Sequence, residues 1–242
     1  MLESTRDNAD KNCKVSVSSL SKKIIDYTYR FRPLPDYYGE DFKKAFAFLM
    51  ESSNWCKEKI RDYKLEKLRA LLSHAQNNVP YYRNLFSKHG IKAEEIETFV
   101  DFAKIPFLTK DSLRANFEDL KADNFESYRP LKAKTAGTTG QIVDLYRSSL
   151  HESYRRAALW RVYHQFGYSF KEKRVTVDDP PSFRPDSPLY EYDKIENEMI
   201  INTYHLMSGR AGEIYDAIKK FQPRMIWGHP TFMAILGDHA KR

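Results

Sequence analysis

The 242-residue sequence predicts an α/β protein, with a helical N-terminal subdomain followed by an α/β layer. Three observations predict it. Leu65, Leu68, Leu72 and Ala75 recur at helical spacing before any strand signal. After Pro130 the pattern changes to short strand-like runs, Leu131–Thr135, Ile142–Tyr146 and Arg174–Val177. Helical stretches then alternate with those runs, an order that calls for crossover connections between parallel strands.

Residues 1–23 are polar and aperiodic and read as a lead-in. Arg32-Pro33-Leu34-Pro35-Asp36 reads as an extended linker, because each proline biases its predecessor away from helix. Lead-in and linker together occupy residues 1–40, and the helical subdomain is expected over 41–128. Within it a helix carries the Leu65–Ala75 stripe and ends at Asn77-Asn78-Val79-Pro80. A short helix over Tyr81–His89 follows, with Gly90 placed to end it in the left-handed conformation. Glu94–Ala103 reads as one helix stopped by Ile105-Pro106, and Thr109 as the N-cap of a helix running to Phe117. In the α/β part, over 129–242, Ser149 is read as capping a helix to Phe166. Further strands are read at Glu198–Tyr204 and Pro223–Gly228, a helix at Gly212–Phe221, and Thr231 as the cap of a last helix.

Composition bounds the function. Hydrophobic residues make up 41% and charged residues 30%, the balance of a globular protein, and no run reaches the roughly 18 apolar residues of a membrane helix. The first residues lack the apolar core of a signal peptide, and Cys13 and Cys56 form no disulfide framework, so a cytoplasmic location is expected. The net charge of +7 is dispersed, as in Lys57-Glu58-Lys59, and forms no stripe or DNA-reading motif, so a nucleic-acid partner is not expected. No histidine, cysteine or carboxylate set has metal-ligand spacing, so no protein-bound metal is expected.

The most informative passage is Lys134-Thr135-Ala136-Gly137-Thr138-Thr139-Gly140. Glycines let the backbone approach a ligand closely, and successive N–H groups with threonine hydroxyls make an anion-binding concavity. Two readings stand at this point: a phosphate-binding loop, or an ordinary Gly-closed hairpin turn. A Walker A loop is excluded, since two residues separate Gly137 from Gly140 and Gln141 follows where that motif needs lysine. Asp178-Asp179-Pro180 follows a strand, where α/β ligand sites lie, and with Phe183 it is either a ligand-pocket wall or a solvated turn. His229, between Gly228 and Pro230, is either a pocket-lining histidine or a turn residue at a strand end. Trp160, Trp227, Tyr81 and Tyr82 read as core, and no residue is singled out as a catalyst.

With these passages in order, the chain resembles the adenylate-forming superfamily, most closely its phenylacetate–CoA ligase and CapK-like branch. Leu68–Ala75 through Asn78-Val79-Pro80-Tyr81-Tyr82 resembles that branch's HAxxNVPYYR segment, and Phe102–Lys110 its LPxLTK segment. The Gly loop resembles TSGTTG, and Pro223–Pro230 its PxxIxGYPS strand and turn. The resemblance covers roughly residues 60–242. It implies an ATP-dependent ligase that activates a small carboxylate as acyl-AMP and passes the acyl group to a thiol such as CoA. On that implication Thr135, Gly137, Thr138, Thr139 and Gly140 hold the nucleotide phosphates, with Mg²⁺ accompanying ATP. Asp179, Phe183 and His229 are then the substrate-side candidates. The CapK side of the resemblance also implies polysaccharide biosynthesis. Ala136 and Ile142 depart from the family's Ser and Pro, and its YGxxE segment, ribose-binding Asp and lid lysine find no match. The chain is therefore expected to be the N-terminal portion of such an enzyme, truncated by gene fragmentation, which would leave the C-terminal half encoded separately, by sequencing or by the choice of segment, and to be inactive alone and expose apolar faces. The alternative is a non-catalytic remnant or binding module of the same fold.

Overall fold

The computed structural model describes residues 33–135, 143–178 and 183–240. It is a mixed helix-and-sheet protein. The chain divides into two compact units, and the first is discontinuous in sequence. Its described residues are 33–46, 154–178 and 183–240, and those of the second unit are 47–135 and 143–153.

The second unit begins within α2 (Glu40–Ser52) and continues through α3 (Lys57–Asn78) and α4 (Pro80–His89). The α3 stripe lies as expected: Leu72 and Ala75 are buried, and Leu72 packs with Phe86, Ala93 and Ile96. Pro80 starts α4 at a position whose N–H needs no helical partner, and Gly90 closes it at φ 62°. The single helix expected over Glu94–Ala103 is instead a 3₁₀ turn (Ala93–Glu95) and a separate α5 (Phe99–Phe102). Thr98 causes the break: it and Asp101 form a reciprocal capping box, which starts a new helix where continuation was expected. The Thr109 hydroxyl accepts from Ser112 N and caps α6 (Lys110–Ala115), as expected, with an end two residues short of Phe117. A 3₁₀ turn at Phe125–Tyr128 leads into β1 (Leu131–Lys134) and β2 (Asp144–Arg147), an antiparallel pair in which Lys134 faces Asp144.

The first unit opens on α1 (Leu34–Tyr38), which corrects the expected extended linker. The two prolines do not prevent it. Pro33 is the extended N-cap and Pro35 lies in the first turn, where proline is tolerated, and burial of Leu34 supplies the reason to fold. Helix α7 (Ser149–Gln165) is capped by Ser148, whose hydroxyl accepts from His151 N at 3.0 Å, one residue earlier than expected. The sheet has the order β4–β5–β3–β6. Its strands are β3 (Arg174–Val177), β4 (Tyr190–Asp193), β5 (Glu198–Ile201) and β6 (Met225–Gly228). β5 and β6 both run parallel to β3, and β4 returns antiparallel on β5. The connection from β5 to β6 carries α8 (Thr203–Met207) and α9 (Ala211–Phe221), and α10 (Pro230–Ala240) follows β6. The expected strand through Tyr204 stops at Ile201 because Asn202 caps α8, accepting from Tyr204 N at 3.2 Å. Thr231 is not the cap of α10, which starts at Pro230. Val175, Val177, Met199, Ile201, Ile214, Ile218 and Leu236 form the sheet-and-helix core.

A second, aromatic core joins α1 and the start of α2 to α7. Trp160 is buried and donates from Nε1 to the Tyr38 hydroxyl at 3.2 Å, while Phe42 and Phe46 pack on Phe170. Trp227, expected in the core, is 41% exposed on edge strand β6. Arg174 lies beneath Trp160 and Tyr163, bonded to Glu196 at 2.8 Å and to Glu198 at 2.8 and 3.1 Å. Burial raises the Tyr38, Tyr163 and Tyr168 hydroxyls above the usual tyrosine range, Tyr168 to about 12. Because the folded-state value is raised, the associated stability is complete below the unfolded tyrosine value near 10 and is lost as pH rises towards about 12. Tyrosinate absorbance at 295 nm and far-UV dichroism followed together from pH 9 to 12.5 should show these hydroxyls ionising with unfolding. Their ionisation in an intact fold near pH 10 would contradict that burial.

Candidate phosphate loop and strand-end residues

The Gly loop is the connection of the β1–β2 hairpin. One step beyond the last paired residues, Thr135 and Val143 make a neck: Thr135 N donates to Val143 O at 3.0 Å, and Val143 N donates to Thr135 Oγ1 at 3.1 Å. One bond is backbone to backbone and the other uses the Thr135 side chain, and together they hold the two ends of the seven-residue connection side by side. Accepting that bond leaves the Thr135 hydroxyl proton to be donated elsewhere. Gly137, Thr138, Thr139 and Gly140 lie outside the described residues.

Charge collects at the foot of this neck. Lys132 and Lys134 are two residues apart on β1 and so share one strand face. Both reach Asp144 of β2, each at 3.7 Å. All three side chains are substantially exposed. Behind them Tyr146 stacks on Phe117 and contacts Phe125, with the Lys121 ammonium 5.3–5.8 Å from all three ring centroids. That cluster anchors β2, and hence the far side of the neck, on the 117–125 segment.

In the first unit the carboxyl ends of the parallel strands β3, β5 and β6 meet at one sheet edge, the edge where α/β proteins place ligands. His229 is there, exposed, its N–H donating to Val177 O at 3.0 Å and its ring beside Phe232. Val177 leads into Asp178, so His229 neighbours the start of the Asp178–Asp179 segment; Asp179 itself lies outside the described residues. Phe183 is 2% exposed, a packed ring rather than one presented to solvent. Gly228 is the closest approach of the two strands. A Cβ there would lie 2.8 Å from Val177 Cβ and inside the contact radius of Val177 O.

Two residues at the same edge escaped the sequence reading. Asn202, fully buried, donates to the carbonyls of Arg184 and Pro188 at 3.0 and 3.2 Å, and its own N–H donates to Leu189 O. His205 Nε2 lies 2.7 Å from Ser187 O, which makes it the protonated nitrogen. Together they pin the loop after β3 to the end of β5. Asn before an apolar run is a cap signal that would have found Asn202; nothing in the sequence pairs either residue with the 184–189 loop. A cavity under α7 is lined by Arg156, Trp160, Tyr163, Arg174 and Glu196, but both of those arginines pair with glutamates. Among the described residues no group of three or more His, Cys, Asp or Glu could hold a metal, and no helix is long and apolar enough to cross a membrane.

No family model matches the chain. Curated proteins do. CapK of Staphylococcus aureus is 24% identical over 169 residues, covering 69% of this chain and 37% of CapK. Phenylacetate-coenzyme A ligase of Pseudomonas putida is 24% identical over 214 residues, covering 84% of this chain and 45% of the ligase. The chain is a relative of CapK and the phenylacetate–CoA ligases. A third relative, the phenylacetate-coenzyme A ligase of Aromatoleum evansii, reaches 37% identity over a 60-residue stretch, 25% of this chain and 14% of that ligase. The chain thus matches less than half the length of these relatives.

Proposed function

We propose that the chain carries the phosphate-binding loop and part of the α/β domain of an ATP-dependent adenylate-forming ligase. The reaction is activation of a small carboxylate as acyl-AMP, followed by transfer to a thiol such as CoA. The observation that carries this reading is the Thr135–Val143 neck, which closes a Gly/Thr loop between two strands in a chain related to CoA ligases. A loop tied at its base and built from Gly137, Thr138, Thr139 and Gly140 can aim N–H and hydroxyl donors at one polyphosphate. Fixed donors of this kind stabilise the charge that develops as pyrophosphate leaves. Thr135 fits the same task through its hydroxyl proton, with its oxygen held by Val143. Mg²⁺ would enter this reading with the nucleotide, supplying counter-charge to its phosphates, since among the described residues no group of three or more His, Cys, Asp or Glu would hold it. The strand-end set of Asp179, Phe183 and His229 is assigned to the carboxylate side. The helical segment 41–128 is then the N-terminal subdomain, and 129–242 part of the nucleotide-binding domain.

Pyrophosphate release from ATP and Mg²⁺, tested against a panel of aryl and fatty carboxylates, measures this activity. Carboxylate-dependent release by this chain, lowered about 100-fold in the Thr138→Ala/Thr139→Ala double variant as for loss of transition-state donors, would overturn the expectation that it is inactive alone and establish adenylation. Nucleotide binding without pyrophosphate release would instead identify a binding module of the same fold.

A further inference from the structure

The fold of the first unit gathers cations that the sequence disperses. One register row crosses the sheet at the amino ends of its parallel strands: Glu198 pairs with Arg174 and Arg174 with Met225, while Asp193 of β4 faces Glu198. At about 4.8 Å per strand the row is roughly 14 Å wide. Lys173 and Arg224 stand immediately before it, and Lys194 lies in the β4–β5 turn. Lys219 and Lys220 lie in the last turn of α9, which ends at Phe221 just ahead of Arg224. All five are exposed. Lys219 and Lys220 suit the negative end of the helix dipole, and Lys173 Nζ donates to Phe221 O at 3.1 Å. Those roles neutralise no cation and do not account for Lys194 or Arg224. The acids are fewer. Glu172 Oε1 is 3.9 Å from Arg224 Nε, Asp193 Oδ1 accepts from Ile195 and Glu196 N–H, and Asp216 stands one turn back on α9. Glu196 and Glu198 already hold Arg156 and Arg174. This pole keeps an excess of positive charge. An apolar ring shares it. Tyr163 lies beside Arg174 at the start of β3, and Phe166 follows Tyr163 by one turn, 81% exposed and outside the Trp160–Tyr163–Tyr168 cluster.

We propose that this pole of the first unit is a docking surface for an anionic lipid bilayer, with the four lysines and Arg224 on headgroup phosphates and Phe166 entering the headgroup–acyl boundary. Lysines are compact charges on long flexible stems, which follow a fluid surface of phosphates without demanding a fixed geometry. Exposed basic residues beside an exposed aromatic ring are the combination that interfacial segments use. Strands β3, β5 and β6 run away from this pole, so a chain docked there keeps the edge bearing His229 on the side away from the lipid. The surface does not depend on the phosphate-loop reading.

Co-sedimentation of the whole chain with vesicles tests this, using phosphatidylcholine alone and phosphatidylcholine with about 30% phosphatidylglycerol, at about 0.1 and 0.5 M salt. Binding is expected only to the anionic vesicles and should fall at high salt. Lys219→Gln/Lys220→Gln/Arg224→Gln should weaken it about 100-fold, near fivefold per cation. Lys57→Gln/Lys59→Gln/Lys64→Gln, the same change of net charge in the other unit, should alter it less than about threefold. Phe166→Ser should weaken it about tenfold and remove the part that survives high salt. Equal losses in both triple variants would reduce the effect to net charge and overturn the docking surface. Failure of the unaltered, folded chain to sediment with anionic vesicles would overturn it too. Tighter binding to duplex DNA than to vesicles, lost in the first triple variant, would overturn the lipid assignment. Unchanged binding by Phe166→Ser would overturn the role of the ring.

Discussion

Replacing Arg174 with alanine is expected to remove about 3–5 kcal/mol of folding stability, enough to unfold a protein of ordinary marginal stability near body temperature. The size follows from what the guanidinium leaves behind. Glu196 and Glu198 are 14% and 12% exposed at their side chains, and Arg174 itself is 5% exposed. Glu196 keeps Arg156 at 3.0 Å, but Glu198 keeps only the Thr176 hydroxyl, a neutral donor. Two carboxylates thus stay in a site whose compensating charge has been halved. The rings of Trp160 and Tyr163 lose the cation beside them as well. Urea unfolding of Arg174→Ala, alone and combined with Glu198→Gln, checks the cause. Neutralising Glu198 should recover a good part of the loss if the orphaned charge is responsible. Equal stability of Arg174→Ala and the unaltered chain would mean the network contributes nothing.

Gly228→Ala is expected to cost about 3 kcal/mol, the upper part of the range for overpacking, because the clash is with backbone and not with a movable side-chain end. Val177 and Gly228 are register partners of parallel strands, and the added methyl group meets both the Val177 carbonyl and its Cβ. Relief requires β6 to move away from β3. That movement would break the bond from His229 N to Val177 O and shift the strand-end residues assigned to the carboxylate site. The substitution should therefore lower the thermal midpoint and weaken carboxylate binding together. Gly237→Ala, where an added Cβ meets nothing within 4 Å in the interior of α10, is the control and should leave carboxylate binding unchanged while raising the midpoint slightly.

Elements whose formation depends on neighbours in sequence were legible. The α3 stripe, the Gly90 stop, the Thr109 cap and the buried strand Arg174–Val177 all follow from local spacing or local chemistry. What escaped depends on partners far along the chain. Leu34–Tyr38 folds because residues more than 100 positions later cover it, which no window around two prolines contains. β4 escaped although Tyr190-Glu191-Tyr192-Asp193 alternates tyrosine with acid, a four-residue run at the lower limit of a strand signal. The candidate phosphate loop could be read as residues, since Gly-Thr-Thr-Gly is compact in sequence. Its neck could not, because the Thr135–Val143 pairing is a property of strand register, and the same holds for the approach of Asp144 to both lysines. Arg174 looked like an ordinary strand terminus; its glutamates lie 22 and 24 residues away.

The discontinuity of the first unit has a consequence for synthesis. Tyr38 and Trp160, joined by a hydrogen bond, are 122 residues apart. At roughly 5–20 residues per second, a ribosome takes on the order of 10 s to make the second after the first. During that interval the aromatic face of Tyr38, Phe42 and Phe46 waits for Trp160 and Phe170 while residues 47–153 are being made. This nascent chain carries a sticky leading end by design of its topology, and a chaperone that holds aromatic segments would find its client there.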